Sequence, residues 1–123
     1  MRPVELYLRA DFLTGGIMFF ELRQYRIFPG KRGEWVKFME ERIMPGQLAH
    51  GVVIVGSFVG QEDDDLYVWI RRFDSEEHFA TFRDAYYGSD EWKNELLPRV
   101  NEMLDRPRML VTRIEATPKS VIR

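Results

Sequence analysis

Cysteine is absent from the 123-residue chain. Disulfides, thiolate nucleophiles and cysteine-ligated zinc or iron–sulfur centres are excluded with it. A chain built without disulfides suits a reducing compartment, and the cytoplasm is the expected location. Histidine is scarce too: His50 and His78 stand alone, without metal-ligand spacing, so neither a metal nor a cofactor is expected. Neither sign of charge dominates. Lys and Arg total 18 against 20 Asp and Glu, a net charge of −2, which offers no basic field to nucleic acid or an anionic membrane. The longest apolar run, Gly51 to Gly60, is about half the length of a membrane-spanning helix. A signal-peptide core is not expected either, since Glu5, Arg9 and Asp11 interrupt the segment where it would lie. GxSxG, P-loop and GxGxxG motifs are missing, which removes the basic parts of serine hydrolases, phosphate cradles and dinucleotide-binding folds.

What is present is 45% hydrophobic and 14% aromatic, enough for one packed domain. Residues 1–17 read as an N-terminal extension. Their weak alternation is broken by Thr14-Gly15-Gly16, and two glycine codons just upstream of Met18 match a ribosome-binding site read through in frame. Met18 is therefore the expected start, 18–118 the domain and 119–123 a tail.

The domain opens with a predicted strand from Met18 to Phe28, ended by Pro29-Gly30. A helix from Lys31 to Met44 follows, with Trp35, Phe38, Met39 and Ile43 on one stripe, and Pro45-Gly46 stops it. Val52 to Val59 is β-branched and apolar on both faces and reads as a buried strand. An acidic turn, Gln61 to Asp65, joins it to a hairpin partner, Leu66 to Phe73. Asp74 or Ser75 caps a second helix, with Glu77 completing a capping box from Asp74 and Phe79, Phe82 and Tyr86 facing inward. Gly88 ends it and Ser89 or Asp90 restarts helix, with Trp92, Leu96 and Val100 in line and Pro98 expected to kink or split the segment. Met109 to Ala116 is the last strand. The order β-α-β-β-α-β is the α+β, ferredoxin-like plan: a four-stranded antiparallel sheet with its helices on one face.

The opposite face of such a sheet meets solvent, a ligand or a partner. Alternation sorts each strand. Leu66, Val68 and Ile70, with Phe20 and Leu22, are assigned to the helices because they are aliphatic or apolar. Glu21, Arg23, Tyr25, Tyr67, Trp69, Arg71, Phe73 and Arg113 then fall on the uncovered face. That many exposed aromatics call for a cover, and two copies stacked by these faces as a homodimer supply it.

The run Phe20-Glu21-Leu22-Arg23-Gln24-Tyr25 followed by Pro29-Gly30 resembles the ELR-x-Y…PG opening of the NIPSNAP family. The similarity continues through Val55-Gly56-Ser57-Phe58, the strand ending at Phe73, the helix from Asp74 to Tyr86, Trp92, Leu97-Pro98 and Arg108-Met109. It spans roughly Phe19 to Pro118. Where the family usually has Tyr at the end of the third strand, this chain has Phe73, which removes a hydroxyl. The resemblance implies a ferredoxin-like subunit in a dimeric α/β barrel. It implies no settled reaction or cofactor. Cofactor-independent monooxygenases, haem-degrading enzymes and stress-responsive dimers share the barrel, and fold alone does not transfer their chemistry.

The expected function is binding of a small polar or anionic organic molecule by a homodimer, in a cavity on the sheet face away from the helices. Arg23, Tyr25, Tyr67, Trp69, Arg71, Arg113 and His50 are the candidate ligand-binding residues, and Glu21 the candidate catalytic base. Each has a structural counterpart: an ion pair for Glu21 and Arg23, a core role for Tyr25, a cation–π stack for Trp69 and Arg71, a solvated loop for His50. Monooxygenase-like or isomerase-like turnover and a ligand-free structural dimer are the competing readings. Asp63-Asp64-Asp65 and His78 read as solvated surface.

Overall fold

Strand β1 (Phe19–Arg26) lies inside the sheet, paired antiparallel with β3 (Leu66–Phe73) on one side and β4 (Leu110–Ile114) on the other. Strand β2 (Val53–Val59) pairs antiparallel with β3, giving the order β2-β3-β1-β4. This is the expected α+β, ferredoxin-like arrangement. The structure, a computed structural model, describes residues 17–123. The weak strand and the extension expected over residues 1–16 lie outside the described residues.

Helical segments connect the strands on one face. The first is α1 (Arg32–Phe38), a π-turn (Met39–Ile43) and α2 (Met44–Leu48). The second is α3 (Glu76–Tyr87), then a π-turn (Trp92–Leu96) and α4 (Leu97–Met103). The first helical run was expected to stop at Pro45, yet it continues to Leu48. The reason is common to both runs. Pro45 and Pro98 each sit in the first turn of an α-helix directly behind a π-turn. Proline lacks an N–H and its ring crowds the preceding turn, and the wider π-turn absorbs both defects without ending the helix. The cap of α3 is Ser75, whose hydroxyl accepts from His78 N at 3.1 Å, while His78 Nδ1 accepts from Asp74 N at 3.1 Å. His78 thus takes the part expected of Glu77 in a capping box.

Two expectations are overturned. Strand β2 is not buried on both faces: it is an edge strand, and Phe58 is 54% exposed. The faces of the sheet are also reversed. Tyr25, Tyr67, Trp69, Arg71, Phe73 and Glu21 lie beneath the helices and are buried. Trp35 of α1 packs edge-on to Tyr25 and Tyr67, and Phe82 of α3 lies 5.5 Å from Phe73. The aliphatic set, Leu66, Val68 and Ile70, remains half-exposed on the open face. The helices themselves present aromatic rings, which interleave with the aromatic side of the sheet. The charges buried with them are hydrogen-bonded together, Arg23 and Arg71 both donating to Glu21. At one end the open face is shielded by the chain itself: Phe20, Ile70, Ile114 and Ile122 help line a second cavity of about 310 Å³ under the C-terminal segment. No helix among the described residues is long and apolar enough to cross a membrane.

Candidate functional site

Strand register assembles the site. Pairing of β1 with β3 sets Glu21 opposite Arg71, Arg23 opposite Trp69 and Tyr25 opposite Tyr67. Such cross-strand neighbours are close enough to interact directly. The Arg71 guanidinium, 1% exposed, is the hub. Its Nε and Nη2 donate to Glu21 Oε1 at 3.0 and 2.5 Å, and its Nη1 donates to Gln47 Oε1 and to the Tyr87 hydroxyl, both at 2.9 Å. It also lies 5.3 Å from the Trp69 ring and 5.1 Å from Phe73, the anticipated cation–π stack. Arg23 Nη1 donates to the same Glu21 oxygen at 2.9 Å, and its Nε donates to the Tyr25 hydroxyl at 2.6 Å. Trp69 Nε1 donates to that hydroxyl too, at 2.9 Å.

Two guanidinium groups therefore share one carboxylate, and one positive charge is left over. Burial alone would push the Glu21 carboxyl up, but Arg71 and Arg23 hold it below its ordinary 4.5. Burial would likewise discharge Arg23, but Tyr25, Tyr87 and Glu21 around it hold its pKa above the ordinary value. Burial raises the Tyr25 phenol above 10.0, so it is neutral at physiological pH.

Beside this network, between the sheet and the helices, is a cavity of about 310 Å³, at the small end of the range for organic-ligand sites. Both π-turns face it, through Met39, Ile43 and Trp92, and Trp35, Trp69, Val100, Leu104 and Met109 extend the apolar wall. Its polar groups are Arg23, Tyr25, Gln47, Tyr87 and, from the 3₁₀ turn Arg106–Arg108, Arg106.

Of the residues expected to bind a ligand, Arg23, Tyr25 and Trp69 line this cavity, on the helix side of the sheet and not on the open side. Arg71 and Glu21 stand behind the wall as its charged support. Tyr67 is buried elsewhere and shares a hydrogen bond with the Ser57 hydroxyl at 2.5 Å. Arg113 pairs with Glu76 and lies 4.2 Å from the Phe19 ring, away from the cavity. His50 is exposed, its ring 6.0 Å from Phe82 and Tyr86, and contributes nothing to the cavity wall. Gln47, Tyr87, Trp92 and Arg106 were missed as functional residues. A signal for Gln47 was present: Trp35, Met39, Ile43 and Gln47 recur every four residues, and only the assumption that Pro45 ends the helix hid it.

The NIPSNAP family model matches residues 20–116. A NIPSNAP family protein from Agrobacterium tumefaciens is 22% identical, with a TM-score of 0.76 over 86% of this chain and 99% of that one. A second from the same organism, described as of unknown function, is 22% identical, with a TM-score of 0.77 over 88% and 96%. A putative antibiotic biosynthesis monooxygenase from Bacteroides thetaiotaomicron is 15% identical, with a TM-score of 0.60 over 85% and 91%. These likenesses carry the fold. The search of curated proteins finds no match.

Proposed function

The chain belongs to the NIPSNAP family, and from that premise we propose that it binds a small anionic organic molecule in the cavity between sheet and helices. The observation that carries the reading is the unbalanced charge at an otherwise apolar cavity: Arg23 lines the wall, 14% exposed at its side chain, and shares Glu21 with Arg71. A guanidinium held in low dielectric with half a counter-charge favours an incoming anion. Native mass spectrometry of freshly purified protein tests this. A retained mass released on denaturation, and lost in Arg23→Gln, is expected; an identical spectrum for both proteins at every ligand concentration overturns the reading.

Binding is favoured over turnover. Glu21, the residue that a proton-abstracting enzyme would need as base, accepts hydrogen bonds from both arginines and has a lowered pKa. Both properties weaken a base. Its part is to hold Arg23 and Arg71 in place.

We also propose that two copies join through the open, aliphatic face of the sheet. Phe58, Leu110 and Ile114, 54, 60 and 40% exposed, flank the half-exposed Val68 and Ile70 there. Exposed apolar side chains gathered on one face of a sheet call for a cover. Analytical ultracentrifugation is expected to give a dimer; a monomer at micromolar concentration refutes it.

A further inference from the structure

The hydroxyls of Tyr25 and Tyr87 are placed alike. Each lines the cavity, and each already accepts two hydrogen bonds from the protein. For Tyr25 the donors are Arg23 Nε and Trp69 Nε1. For Tyr87 they are Arg71 Nη1 at 2.9 Å and Gln47 Nε2 at 3.4 Å. The identity of these donors is not open to choice. Arginine and indole nitrogens only donate. The Gln47 amide is oriented by Arg71, whose Nη1 must meet its oxygen at 2.9 Å, which turns the amide nitrogen toward Tyr87. With both acceptor directions used, each phenol has only its own hydrogen left to offer. Among the described residues neither phenolic hydrogen, nor Arg23 Nη2, makes a hydrogen bond to the protein.

The polar end of the cavity is thus rich in donors, beside the surplus positive charge of the Glu21, Arg23 and Arg71 group, with Arg106 on the same wall. We infer that it is a receptor for a monocarboxylate, held by the two phenolic hydrogens and Arg23 Nη2, with the apolar body of the acid against Trp69, Trp92 and Val100. The inference rests on the binding reading above and narrows it to a class. Amines are excluded by charge. A site whose free groups are mainly donors discriminates, because a ligand without acceptors leaves those donors unpaired.

Isothermal titration with indole, indole-3-acetate and tryptamine tests the assignment, because the three share one ring and differ in charge. Indole-3-acetate is expected to bind at least about tenfold more tightly than indole, and tryptamine more weakly than indole, from the energy of charge-assisted hydrogen bonds. Tyr25→Phe and Tyr87→Phe each remove one donor, and each is expected to weaken indole-3-acetate about three- to tenfold more than it weakens indole. Indole binding with no preference for the acid, or acid binding that is indifferent to both substitutions, overturns the carboxylate assignment and leaves the cavity reading standing. Failure of all three probes to bind overturns the cavity reading and this inference with it. Naphthyl phosphate binding more tightly than naphthylacetate overturns the monoanion assignment alone.

Discussion

The two faces of strand β3 are both rich in apolar side chains, yet they meet opposite surroundings. On one face Tyr67, Trp69, Arg71 and Phe73 are each at most 2% exposed. On the other Leu66, Val68 and Ile70 stay half-exposed. The difference teaches that hydropathy ranks faces poorly when charges must be buried. A buried pair of arginines around one glutamate needs hydrogen-bond partners, and aromatic residues with polar tips supply them while filling space. Tyr25, Tyr87 and Trp69 do so here. Leucine, valine and isoleucine offer no such partners, and the aliphatic face stays half-exposed.

The comparison breaks most visibly if the aromatic face is opened. Trp69→Ala is expected to cost about 3–5 kcal/mol in urea unfolding, as large core truncations do; a loss below 1 kcal/mol would mean that the aromatic face is not the core. Glu21→Gln is next. It strands two buried guanidinium groups and is expected to cost about 3 kcal/mol. It also removes a pH dependence. The folded-state pKa of Glu21 lies below 4.5, so its contribution is complete above that pH and is lost as pH falls through the folded value. Unfolding free energies on either side of pH 4.5 should slope in the parent and flatten in the variant.

The open face should answer differently. Phe58→Lys is expected to change subunit stability by no more than about 0.5 kcal/mol while weakening self-association at least about tenfold, readable by sedimentation. Tyr67→Phe is expected to cost about 1 kcal/mol for the hydrogen bond to Ser57. Burial pushes the Tyr67 phenol up to about 12 from 10.0. Its contribution is therefore complete below pH 10.0 and is lost as pH rises toward 12, and alkaline unfolding of the variant should lack that component.

Much of the fold was legible in the residues. Alternation marked four strands, glycine and proline marked their ends, and the order of elements selected the ferredoxin-like plan. The Glu21, Arg23 and Tyr25 cluster was also visible, because a single strand carries all three on one side. The helical run through Pro45 was not legible, since a π-turn leaves no distinct sequence pattern and proline ordinarily ends a helix. Gln47 was not singled out, and Tyr87 reads from its helical spacing as core and interface, because their value to the site comes from meeting Arg71 across 24 and 16 residues of chain.

The sequence by itself determined which side chains of β1 and β3 share a face, because the period of a strand is two and their pairing is unbroken; in β2 a bulge between Ile54 and Gly56 breaks the alternation. It also determined, through the missing cysteines and the two isolated histidines, which chemistries have no residues to perform them. Only the tertiary structure decided which face turned toward the helices. That choice depends on whether Glu21, Arg23 and Arg71 can find partners once desolvated, and those partners, Gln47 and Tyr87, come from helices that approach the sheet only in the folded chain.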